Sequence, residues 1–163
     1  MTTAKGITNG TVPCGAVFAS RKIHDTLMTG PQGQIELFHG YTYSAHPVAC
    51  AAGLATLDIY KDEGLLTRGA TLADYWRDGL HSLKGLPNLV DIRNVGLMGA
   101  VEVAPRKDAV GVRGYETMVD CFNRGLYLRN SGDSLALSPP LIVKRGHIDE
   151  IVSILGDAIK RVA

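Results

Sequence analysis

Lys5 stands in the run Thr3-Ala4-Lys5-Gly6-Ile7-Thr8-Asn9-Gly10, a primary amine set among small, turn-prone residues. An amine that condenses with a carbonyl must be neutral, which takes desolvation or a nearby cation. The small neighbours Ala4, Gly6 and Gly10 leave room for a flat ring against the backbone. A second patch, His39-Gly40-Tyr41-Thr42-Tyr43-Ser44-Ala45-His46-Pro47, is polar and runs into a stretch of small residues. There Thr42 offers a hydroxyl beside a helix start, the donors that a phosphate-like anion wants. Far downstream, Arg129 has a fork that can donate two parallel hydrogen bonds to a carboxylate. Each has a plainer reading: Lys5 as a solvated charge, Thr42 as a turn hydroxyl, Arg129 in an ion pair with Asp133 or Glu102. His46 reads as a cap or packing residue, Asp133 as shaping its turn, and Tyr41 and Trp76 as packing.

The elements that must position these groups follow from pattern and turn residues. Residues 15–19 read as a short buried strand, and Ser20 as the cap of a helix over 21–28. Residues 36–42 read as one short extended piece. A helix from 44 or 46 to about 61 carries Pro47 in its first turn. It is almost free of charge, which predicts burial on all sides. A second helix, 65–83, places Leu66, Leu72, Tyr75, Trp76, Leu80 and Leu83 at roughly helical spacing. Alternation predicts strands over 89–95 and 98–103, bent at Gly96. A helix over 114–124 stops at Gly125. Short strands over 126–129 and 134–137 flank a turn, and an amphipathic helix covers 148–162. No strand or helix is expected before Lys5, so the chain reads as one cut inside a larger domain.

Composition narrows the function classes. The 163 residues are 45% hydrophobic and 20% charged, with 17 basic and 16 acidic residues for a net charge of +1. No like-charge block points to nucleic acid or an anionic membrane. The odd, scattered cysteines Cys14, Cys50 and Cys121 match neither a disulfide framework nor a metal spacing, and read as buried thiols in a reducing compartment, the cytoplasm.

Four motifs stand in register. Ala4-Lys5-Gly6-Ile7-Thr8-Asn9-Gly10, Gly40-Tyr41-Thr42-Tyr43-Ser44-Ala45-His46-Pro47-Val48-Ala49, Gly96-Leu97-Met98-Gly99-Ala100-Val101-Glu102 and Gly132-Asp133-Ser134-Leu135-Ala136-Leu137-Ser138-Pro139-Pro140-Leu141 resemble class III pyridoxal-phosphate aminotransferases. Within them the chain is most similar to the omega-amino acid:pyruvate (beta-alanine:pyruvate) group, over the last third or so of a member. The resemblance implies an α/β protein of fold type I, with residues 1–63 as the end of the large cofactor-binding domain and 64–163 as the small α+β C-terminal domain. It implies pyridoxal 5'-phosphate as cofactor, joined to Lys5. It implies that Thr42 binds the cofactor phosphate in the neighbouring subunit's site, and that Arg129 receives the substrate carboxylate.

The implied reaction moves an amino group between an omega-amino acid or amine and pyruvate, both small molecules, in a homo-oligomer, dimer or tetramer. The released lysine would carry the proton between substrate and cofactor carbons. In the family, the acidic partner of the pyridine nitrogen, the stacked aromatic and the glycine-serine phosphate loop precede the lysine. The expectation is therefore that these residues alone are a poor catalyst. The alternatives are a folding or dimerisation module without turnover, or another class III chemistry of the ornithine, 4-aminobutyrate or aminomutase type.

Overall fold

A strand begins almost at the first residue. In the computed structural model, which describes residues 1–34 and 41–163, β1 (Thr2–Ala4) pairs antiparallel with β2 (Gly15–Val17), with Thr3 opposite Ala16 and Ala4 opposite Gly15. This corrects the expectation that nothing holds the lysine: Lys5 follows directly on a paired strand. The chain divides into two compact units, Met1–Gly64 and Leu65–Ala163.

In the first unit, α1 (Arg21–Leu27) is capped as expected, Ser20 Oγ accepting the Ile23 N–H at 3.4 Å. The extended piece expected over 36–42 lies mostly outside the described residues, and Thr42 itself is in a turn. Next comes α2 (Pro47–Asp62). Its expected burial is overturned. Ala49 and Thr56 are its buried residues, whereas Val48, Leu54, Leu57 and Ile59 are exposed, Leu54 by 64%. The reason is size: the other elements described in this unit, two three-residue strands and a seven-residue helix, cannot cover a helix roughly 24 Å long.

The second unit contains α3 (Leu65–His81), β3 (Leu89–Val95), β4 (Met98–Val103), α4 (Val112–Asn123), β5 (Arg129–Ser131), β6 (Ser134–Leu137) and α5 (Arg145–Arg161). The strands form one antiparallel sheet in the order β3-β4-β6-β5. Side chains alternate across a sheet with period two. Val101 and Val103 of β4 and Leu135 and Leu137 of β6 therefore enter a core with Trp76, Leu80, Ile148, Leu155 and Ile159 of α3 and α5. The intervening residues Ala100 and Ala136 belong to the other face, in one register row with Arg93 and Arg129.

Three details depart from the pattern reading. Leu66 is 71% exposed and Leu65 is buried in its place, one position round the helix. The strand expected over 126–129 begins only at Arg129. Gly125, at φ 89°, closes α4: its N–H bonds to Phe122 O and that of Leu126 to Cys121 O, both at 3.0 Å, so the backbone there belongs to a helix cap. Finally, α5 starts three residues early, where the Lys144 N–H donates to His147 Nδ1 at 3.3 Å.

Leu155→Ala should cost about 2–5 kcal/mol in urea unfolding of the chain, since Leu155 is 0% exposed. Leu66→Ala should stay within about 0.5 kcal/mol. Burial pushes the Cys121 thiol up from 9.0 to about 11. Folding thus favours the neutral thiol, and this contribution is whole below pH 9 and is lost as pH rises through 11. Unfolding curves across that interval should fall more steeply for wild type than for Cys121→Ser.

Candidate functional site

Lys5 occupies the left-handed region, with φ 60°. A side chain pays about 1–2 kcal/mol there, so the surroundings must impose the conformation. They do so through hydrogen bonds. The Gly10 N–H donates to Lys5 O at 3.2 Å, Asn9 N–H to Gly6 O at 3.3 Å and Thr11 N–H to Thr8 O at 3.1 Å. Thr8, 1% exposed, donates its hydroxyl to Val12 O at 2.6 Å. From α2, the Tyr60 hydroxyl reaches Gly6 O at 3.1 Å. The lysine thus sits on a braced loop between β1 and β2. Its side chain is exposed, and its ammonium has no ion pair or hydrogen bond among the described residues.

Thr42 lies in a turn beside the start of α2, closed by the Ser44 N–H donating to Tyr41 O at 3.0 Å. It lines a hollow of about 580 Å³ formed by residues 12–15, 41–46, 49 and 50. The Thr42 hydroxyl is exposed and unbonded among the described residues. His46 occupies the N-cap of α2, as one of its two plain readings had it, but its side chain makes no cap bond. Pro47, next in the chain, has no N–H, while the N–H groups of Val48 and Ala49 have no acceptor within the helix. Thr42, Ser44 and Ala49 line the same hollow, so hydroxyls and a helix-start N–H, donors of the kind a phosphate takes, border it together. Lys5 is not among the residues lining this hollow. Cys50 on its wall is exposed and Cys14 half-buried, which corrects the expectation of buried thiols for two of the three cysteines.

Arg129, in the second unit, opens the edge strand β5 and is exposed. The structure removes both candidate ion-pair partners. Glu102 accepts from Arg93 at 2.9 Å, within a cluster that includes Asp91 and Ser134. Asp133 accepts backbone N–H groups of Gly111 and Gly114. The Arg129 guanidinium makes no hydrogen bond or ion pair among the described residues. It borders a largely apolar concavity of about 460 Å³ with Leu128, Ala136, Ser138, Ile142 and His147. An unpaired guanidinium beside apolar walls suits a small carboxylate with a carbon chain.

Sequence reasoning missed three supporting residues. Thr8 precedes Asn9-Gly10, a turn signal that could have marked its hydroxyl as a local acceptor's partner. Nothing local could have found Tyr60, which is 54 positions from Gly6. Nor could it have found Asp133 as the partner of α4, since that pairing also spans distant segments.

Comparison with known proteins shows the family. Residues 1–159 match the family model of class III aminotransferases, and the chain belongs to that family. It is 53% identical to an omega-aminotransferase of Caulobacter vibrioides, over 98% of the chain and 35% of that protein. It is 45% identical to a beta-alanine–pyruvate aminotransferase of Pseudomonas aeruginosa, over 100% of the chain and 37% of that protein. The chain thus spans little more than a third of the length of these relatives. Among solved structures, a thermostable omega transaminase variant from Pseudomonas jessenii matches with TM-score 0.93 and 28% identity, over 100% of this chain and 38% of that one. An amine transaminase from an uncultivated Pseudomonas species, in its PLP-bound form, matches with TM-score 0.90 and 32% identity, over 99% and 38%. The fold is the α/β fold of these transaminases.

Tyr60→Phe should loosen the lysine loop without unfolding the second unit, because a single hydrogen bond of about 1 kcal/mol is lost. Amide exchange at Gly10 should quicken by about fivefold, while the amides of β4 and β6 stay as they were.

Proposed function

We propose that this chain carries the lysine-bearing and carboxylate-binding share of a pyridoxal-phosphate-dependent aminotransferase that transfers an amino group between an omega-amino acid or amine and pyruvate. The observation that carries the reading is Lys5 itself, a non-glycine residue kept left-handed by a hydrogen-bonded loop with its amine unpartnered among the described residues. The names of the omega-aminotransferase and beta-alanine–pyruvate aminotransferase relatives support the substrate class.

Pyridoxal phosphate, when bound, supplies the electron sink. Lys5 would hold it through Nζ and, once released, move a proton from and to the substrate carbon, first as base and then as acid. The hydroxyl of Thr42 and the free N–H groups of α2 would hold the phosphate. Arg129 would receive the substrate's carboxylate through its two-pronged fork.

Thr42 and Lys5 do not line one hollow, which is compatible with Thr42 serving the site of a second protomer. We assign the desolvation of Lys5, whose side chain is exposed among the described residues, to that protomer and to the bound cofactor. The exposed apolar residues of α2 are consistent with a homodimer. A cytoplasmic setting is consistent with three free cysteines. Among the described residues no helix is long and apolar enough to cross a membrane.

Incubation with pyridoxal phosphate followed by hydride reduction should place one label on Lys5, read by peptide mass, and Lys5→Ala should lose it. Label spread evenly over exposed lysines would sink the assignment and leave the module without turnover. In the active protein, Arg129→Ala should raise KM for pyruvate by about 10–100-fold with a smaller effect on kcat. Equal KM values for wild type and variant would remove Arg129 from the carboxylate site.

A further inference from the structure

At its N-terminus the helix α4 has no side-chain cap of its own. Its N-cap is Gly111, at φ 87° and without a side chain to accept a hydrogen bond. The acceptor comes instead from the β5–β6 turn. Asp133 Oδ2 accepts the Gly111 N–H at 2.6 Å, and Oδ1 accepts that of Gly114 at 2.9 Å. Gly114 is the third residue of the helix, so one carboxylate fills, from a distant segment, both roles that a capping box divides between two side chains. Its negative charge also faces the positive end of the helix. The aspartate is 8% exposed.

The backbone is fitted to the same contact. A Cβ on Gly114 would collide with Gly132 O and lie 2.7 Å from Asp133 Cα. Gly132, at φ 60°, takes the first central position of a two-residue turn, which demands that conformation. Asp133 O in turn accepts the Val103 N–H of β4 at 3.0 Å. The tip of the hairpin is therefore tied to α4 by two charge-assisted bonds and to β4 by a third bond.

What the tip anchors is the strand bearing Arg129. β5 has three residues, lies at the sheet edge and pairs with β6. So short a ladder does not set its own position. Arg129 is three residues from Gly132, about 10 Å along a strand, with no side-chain partner among the described residues.

We propose that Asp133 is a positioning residue for Arg129: by anchoring the β5–β6 turn to α4 it holds the edge strand that presents the guanidinium to a carboxylate-bearing substrate. This rests on the carboxylate-binding role of Arg129. The test uses the 163-residue chain, read by amide exchange and by the Nε–Hε resonance of Arg129 during titration with pyruvate. In Asp133→Ala, amides of β5 and β6 should exchange at least about tenfold faster, while those of β3 change by less than about twofold. The pyruvate-dependent shift of Arg129 should weaken in parallel. Asp133→Asn keeps one of the two acceptors and should restore both readouts in part; it also serves if the alanine variant fails to fold. Equal loosening of every strand, or a pyruvate response that survives intact in Asp133→Ala, would overturn the positioning role. No response at Arg129 in wild type, with β5 loosened in the variant, would instead overturn the reading of Arg129 as a carboxylate receiver.

Discussion

The two-residue period of β4 and β6 is the constraint on which the second unit depends. It sends Val101, Val103, Leu135 and Leu137 into the helices and leaves Ala100 and Ala136 on the other face. The arginine row Arg93-Ala100-Ala136-Arg129 follows from that register. A slip of one residue would carry a charge into the core and a leucine out of it. The small alanines between the two arginines keep that row low, so the guanidinium of Arg129 is not covered by its sheet neighbours. Core packing and the exposure of a cation are here two results of one alternation.

In the first unit a different economy operates. The backbone of Lys5 is in a conformation that costs free energy, and the loop around it offsets that cost with a buried threonine, a tyrosine hydroxyl and several main-chain bonds. Strain retained at a chemically competent side chain is the pattern expected of a functional position. Asp133 shows the converse. A residue that sits in its turn as the sequence suggests also accepts three backbone N–H groups of other segments, two at its carboxylate oxygens and one at its carbonyl. Asp133 is thereby occupied by backbone, as Glu102 is by the Arg93 side chain, and Arg129 is left without either.

Much of this was legible in the residue pattern. Strands 89–95 and 98–103 were readable because apolar and polar residues roughly alternate and a glycine marks the bend, and the Trp76-to-Leu83 stripe was readable because its period is helical. The cap at Ser20 is a local signal. Other features were not legible. The three residues of β1 carry too little pattern to be seen, and their strand exists because β2 pairs with them. The apolar composition of α2 was taken for burial, but composition measures what a helix would bury, not what stands beside it. The strand 126–129 was misjudged because the C-terminal bonds of α4 take up its backbone.

The amino-acid sequence by itself determined which groups could do chemistry, an amine, a hydroxyl at a helix start and a planar cation, because those identities and their motif spacing are one-dimensional. It also determined the core stripe and most of the sheet, which arise from short-range periodicity. Only the tertiary structure decided that Lys5 is left-handed, that Tyr60 braces it, and that Glu102 and Asp133 are occupied so that Arg129 stands unpaired. Those outcomes depend on which distant segments meet, and a hydrogen bond between residues tens of positions apart leaves no trace in local pattern.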